Sequence, residues 1–137
     1  MKKLILSTAI VFLSPILFAQ SEKFTAAMKK NLAAIDTSFQ NPVSLLGLAN
    51  NFEQIATEEK TQWLPYYYAA FCQVNYGFME KDKSKTDSYA DKAAELIAQA
   101  DSLSPNNSEI SCIKSMIASC HMMVDPTAVV GVPANSQ

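Results

Sequence analysis

The sequence predicts an all-α fold. It holds three glycines in 137 residues, and no alternating run of β-branched residues follows residue 19. Instead, apolar residues recur at spacings of three and four in five successive stretches, the period of a helix that buries one face.

The first helix is expected from Glu22 to Phe39, with Ser21 as N-cap and Phe24, Met28, Leu32, Ile35 and Phe39 on one face. Asn41-Pro42 opens the second, a capping residue followed by proline where the missing N–H costs nothing. Its stripe is Leu45, Leu48, Ala49, Phe52, Ile55 and Ala56, and the polar stretch Glu58 to Thr61 forms the turn after it. The third helix, from Pro65 to about Met79, is apolar almost all round and should lie between neighbours. Its aromatics are expected to dominate the core, each worth about 1.5–3 kcal/mol when fully buried. A polar loop then runs from Glu80 to Thr86. The fourth helix spans Asp87 to Leu103, with Tyr89, Ala90, Ala93, Leu96, Ile97 and Ala100 inward, and stops before Pro105. Asn107 or Ser108 caps the fifth, which carries Ile110, Ile113, Met116, Ile117, Cys120 and Met123 before Asp125-Pro126 ends it.

Residues 1–19 read as a cleavable secretory signal. Lys2 and Lys3 precede an apolar run from Leu4 to Phe18, and Ala19 is a small residue suited to the position before the cut. That run is shorter than the about 20 residues a membrane span needs. No cysteine follows Ala19 for lipid attachment, so the expected product is periplasmic or secreted, without a membrane anchor. It divides into a helical domain over residues 20–124 and an irregular tail over 125–137.

Charge narrows the partners. Nine lysines remain after residue 19 against thirteen acids, a balance of about −4, and there is no arginine. Without a basic patch or a planar guanidinium, nucleic acid is not an expected ligand. Lys81, Lys83 and Lys85 alternate with Asp82 and Asp87 and read as a solvated loop.

Three cysteines, Cys72, Cys112 and Cys120, cannot all pair within one chain. Cys112 and Cys120 lie about 12 Å apart along one helix, too far to bond. A bridge from Cys72 to either stays open beside the simpler reading of buried thiols.

Segments compare at a shift of 45 residues: Ala49 falls on Ala94, Phe52 on Ile97, Gln54 on Gln99 and Ala70 on Ser115. Periods of 20–50 residues mark stacked helical arrays. Ala93, Ile97, Ala100 and Pro105 keep a spacing of small, bulky, small and proline that resembles the second helix of a tetratricopeptide repeat. The stretch Trp63-Leu64-Pro65-Tyr66-Tyr67-Tyr68-Ala69-Ala70, with Val124-Asp125-Pro126 later, is similar to exported tetratricopeptide-like proteins of Gram-negative bacteria over residues 20–127. The resemblance implies antiparallel helix pairs in a short superhelix. It also implies a concave groove lined by the first helix of each repeat: here Leu64, Tyr67, Phe71, Val74 and Asn75, with Cys112, Met116 and Cys120 from the fifth helix. There are departures from the pattern. The third-to-fourth helix turn comes out about eleven residues longer than a 34-residue repeat allows, and Gln73 stands where an aromatic is usual. Such proteins continue past Val-Asp-Pro with a basic residue and another helix, so the last repeat here is expected to be incomplete, with self-association through the fifth helix as one consequence.

The chemistry-bearing residues form no familiar constellation. His121 with Cys72, Cys112 or Cys120 lacks any local nucleophile signature, and Gly47, Gly77 and Gly131 build no phosphate loop. Cys112, Met116, Cys120 and Met123 suggest a soft-metal stripe suited to copper or zinc, although one helix presents ligands in a line rather than around a point. Asn106-Asn107-Ser108 matches a glycosylation acceptor and equally a helix cap. The expectation is a non-catalytic protein or peptide binder without cofactor, with a small metal-binding protein as the alternative.

Overall fold

The computed structural model describes residues 22–126. Residues 1–21, with the expected export segment and the Ser21 cap, and 127–137, most of the expected tail, lie outside the described residues. The fold is all-α, with no strand among the described residues. Helix α1 covers residues 22–33; α2 is Ile35–Ser38, α3 Pro42–Glu58, α4 Trp63–Met79, α5 Lys83–Leu103 and α6 Ser108–Val124.

The single first helix expected to reach Phe39 is broken at Ala34. Its backbone N–H bonds to Asn31 O at 3.1 Å, a tightened turn. Around it Asn31 Nδ2 donates to Ala27 O, and the Thr37 and Ser38 hydroxyls donate to Ala34 O at 3.0 and 2.7 Å. Polar side chains bonding to nearby carbonyls compete with the helical ladder.

Helix α3 follows its pattern closely. Asn41 is extended ahead of Pro42, and the six stripe residues from Leu45 to Ala56 are all buried. Glu58, expected in the turn, closes the helix instead. Helix α4 begins two residues earlier than expected, at Trp63 after the extended Gln62. Pro65 then falls in the first turn, where no intrahelical bond to its nitrogen is needed.

Helix α5 begins at Lys83, not Asp87, because Asp82 caps it: its carboxylate accepts from Ser84 N–H at 3.1 Å and Ser84 Oγ at 2.6 Å. Lys83 and Lys85 therefore sit in a helical turn, and the connection shrinks to 80–82. The extra length of the repeat resides in the helices rather than in a loop. Asn107 caps α6, accepting from Glu109 N–H at 2.9 Å, and Asn106 takes the left-handed φ of 61° that the tight α5–α6 turn needs.

Helix α4 packs against α3, α5 and α6, and α2 rests on α3. The inside of α4 is made of small residues: Ala69, Ala70, Cys72, Val74 and Gly77 are buried, whereas Tyr66, Tyr67, Tyr68, Phe71, Tyr76 and Phe78 are only partly so. Three neighbours approach this helix closely enough that rings fit at its edges, not between axes. Tyr68 stacks on Phe52 of α3 at 5.3 Å, and Tyr76 meets Tyr89 of α5 edge-on at 4.6 Å. Phe52, Leu45, Ile110 and Ile113 are the largest wholly buried apolar side chains.

The shift of 45 recurs in the helix bounds: α4 and α6 start at Trp63 and Ser108 and end at Met79 and Val124, while α3 and α5 end at Glu58 and Leu103. Phe52 and Ile97 are both buried, and Gln54 and Gln99 both exposed. Ala70 and Ser115 differ, the first buried and the second exposed, because α5 and α6 cover α4 while no described element covers the far side of α6. Ion pairs cross the seams: Lys23 with Glu58 (3.0 Å), Lys92 with Glu53 (2.7 Å) and Lys114 with Asp101 (2.7 Å).

Candidate binding face

The helical repeat of α4 places Leu64, Tyr67, Phe71 and Asn75 along one edge, three or four residues apart, and all four are partly exposed. Tyr67 links this row to α6. Burial first, then the Glu109 carboxylate, Tyr68 and Cys112, push its phenol above the usual range. Trp63 meets Tyr67 edge-on at 5.7 Å, and Phe71 meets Phe39 at 6.1 Å. Asn75 Nδ2 donates to Phe71 O at 2.7 Å, which ties the amide to its own helix. Met116 of α6 is partly buried and Cys112 is exposed.

Two of the expected lining residues do not line anything. Val74 and Cys120 are wholly buried, because each sits on the side of its helix turned to the packed interior. Cys120 Sγ would lie 3.0 Å from a Cβ at Gly77, so the two helices nearly touch there.

Helix α1 contributes what the expected groove omitted. Phe24, Met28, Leu32 and Leu64 wall an apolar cleft of about 290 Å³, with Thr25 and Lys29 at its rim. Spacing placed Phe24, Met28 and Leu32 on a single buried face, yet only Met28 is buried and Leu32 is 37 % exposed. No pattern within one helix marks this in the sequence, because the cleft forms between α1 and Leu64 of α4, far apart in the chain. A second cleft of about 260 Å³, between α1 and α3, is of mixed character, with Lys30, Asn31, Asn51 and Gln54 beside Ala27 and Ile55.

No family model, curated protein or solved structure matches this chain. The face is therefore interpreted from its own chemistry.

The sulfur stripe is split by the fold. Cys112 is exposed, Cys120 wholly buried and Met123 44 % exposed, so these side chains do not converge. All three cysteines are free, and Cys72 has formed no bridge. Burial pushes the Cys72 thiol up to about 12. Burial also raises Cys120, the Asp87 carboxylate adding to the effect and Lys83 opposing it. Among the described residues no three His, Cys, Asp or Glu side chains are grouped to hold a metal.

His121 pairs with carboxylates rather than with a thiol: Nδ1 lies 2.9 Å from Asp87 Oδ1 and Nε2 3.7 Å from Asp91 Oδ1, fastening the end of α6 to α5. Asp82 and Asn107 are occupied as caps. On the outer face of α6 the Ser111, Ser115 and Ser119 hydroxyls each donate to the carbonyl four residues back. Among the described residues no helix is long and apolar enough to cross a membrane.

Proposed function

We propose that this chain is an exported, non-catalytic helical-repeat protein of tetratricopeptide-like type that binds a protein or peptide segment along the inner face of α1, α4 and α6. The observation that carries the reading is the row of partly exposed rings and amide on α4, Tyr67, Phe71 and Asn75, beside Met116 of α6 and continuous with the cleft at Leu64. Aromatic side chains offer large, rigid contact area at small entropic cost, as binding hot spots require. Two features support the repeat reading: the 45-residue recurrence of the helix bounds, and a packing order in which α4 contacts α3, α5 and α6. The exposed Cys112 and buried Cys120 favour this reading over the soft-metal alternative.

Peptides selected from a random display library on the immobilised protein test the reading. Tyr67→Ala, with helicity checked by circular dichroism, should weaken the selected peptides by about tenfold or more, while Gln99→Ala on the exposed side of α5 leaves them unchanged. Equal loss from both substitutions, or from neither, would overturn it. Export is tested separately by the mass of the protein recovered from a periplasmic fraction, which should begin at Gln20; a chain that retains residues 1–19 would contradict it.

A further inference from the structure

The inner face is apolar along its floor and carries charges of opposite sign on its two borders. On the α1 border, Lys29 stands at the rim of the cleft that Leu64 helps to wall. On the α6 border, Glu109 lies in the first turn of α6, three and seven residues before Cys112 and Met116 and so on the same side of that helix. Leu64, which shares the cleft with Lys29, and Tyr67, toward which α6 packs, are one helical turn apart on α4, so both charges border the same short stretch of that helix. Among the described residues neither is in an ion pair, whereas Lys23, Lys92 and Lys114 are already held by Glu58, Glu53 and Asp101. An unpaired charge beside an apolar depression favours an opposite charge next to whatever apolar group fills the depression.

We propose that the occupant of this face is a bipolar peptide segment: a bulky apolar side chain seated in the Phe24–Met28–Leu64 cleft, an acidic residue toward Lys29 and a basic residue toward Glu109. The inference rests on the peptide-binding reading above and adds the charge order of the ligand. Both charges are satisfied by one direction of the bound chain, so the same feature sets its orientation. The borders are solvent-exposed, so they discriminate by small factors and are sensitive to salt.

Three end-blocked synthetic peptides share a Leu- and Phe-rich centre and differ at their ends: Asp with Lys, Asp with Asp, and Lys with Lys. Trp63, the one tryptophan, lies beside Tyr67 and reports binding by its fluorescence. At low salt the wild-type protein should bind the Asp/Lys peptide about two- to fivefold more tightly than either like-ended peptide. Lys29→Glu should move the preference to the Lys/Lys peptide and Glu109→Lys to the Asp/Asp peptide, both preferences fading in about 0.5 M salt. If the peptides bind, and Tyr67→Ala removes binding, but neither charge variant moves the preference, the charge order is wrong and the groove stands. If none of the three binds the wild-type protein, the groove and the charge order both fall.

Discussion

The Phe39 ring meets Phe71 edge-on, with centroids 6.1 Å apart and planes at 74°. Phe39 follows the four-residue α2, and Phe71 is at the middle of α4, so one ring contact ties the weakest helix to the most central one. Edge-to-face pairs contribute about 0.5–1.5 kcal/mol beyond their buried area. A double-mutant cycle of Phe39→Ala and Phe71→Ala, followed by urea unfolding, should return a coupling of that size. Strict additivity would show that α2 is held by its contact with α3 alone.

The two glycines inside helices should respond in opposite directions to alanine. Nothing lies within 4 Å of a Cβ at Gly47, so Gly47→Ala should stabilise α3 by about 0.5–1 kcal/mol. At Gly77 the new methyl would lie 3.0 Å from Cys120 Sγ and 3.4 Å from Tyr89 Cβ. The packed core yields little, so Gly77→Ala should cost about 1–3 kcal/mol despite the gain in helix propensity. Combining it with Cys120→Ala should recover part of the loss; no recovery would place the conflict at Tyr89 instead.

Cysteine reactivity should separate the three thiols. Cys112 is exposed, while Cys72 and Cys120 are wholly buried. Maleimide labelling of the native protein should add one group, at Cys112, and unfolding should release the other two. Two or more native adducts would contradict the packing.

The same burial fixes a direction with pH. In the unfolded chain the Cys72 thiol titrates at its ordinary value of 9.0, and in the fold at about 12. Between these values the folded state holds a proton the unfolded state has lost, so stability falls as pH rises through that window. The raised Tyr67 and Cys120 act with the same sign. The slope should approach about 1 kcal/mol per pH unit above pH 9, and Cys72→Ala should flatten it. An unchanged slope in that variant would assign the effect to other groups.

Thr86 is wholly buried, and its hydroxyl has no hydrogen-bond partner among the described residues. Thr86→Val keeps the shape and removes the unsatisfied group, whose desolvation costs about 1–3 kcal/mol. The substitution should therefore raise Tm by several degrees, about 4–8 °C for each kcal/mol. A lower Tm would show that the hydroxyl is satisfied.

What the sequence reveals here depends on how much of a residue's environment lies within its own helix. The six inward residues of α3 were legible because one neighbouring layer buries one stripe. The first turn of α5 was not: Lys83, Ser84 and Lys85 are exposed, so no apolar period marks them, and only the Asp82 cap distinguishes helix from loop. On α4 the apolar composition announced burial without saying which side chains go inside. That choice is made by how closely α3, α5 and α6 approach, and it favours Ala69, Ala70 and Gly77 over the rings. Tyr67 and Phe71 were named for the candidate face only through the resemblance to tetratricopeptide repeats, whereas the contribution of α1 arises from the interval between two helices far apart in the chain, as does the pairing of His121 with Asp87.

Ligand binding at the inner face can be read residue by residue from the backbone amide resonances of the labelled protein during titration with a display-selected peptide. Shifts should centre on Leu64, Tyr67, Phe71, Asn75 and Met116 and extend to Met28 and Lys29, with Gln54 and Gln99 unmoved. Shifts centred on Gln54 and Gln99, with the inner face silent, would contradict it.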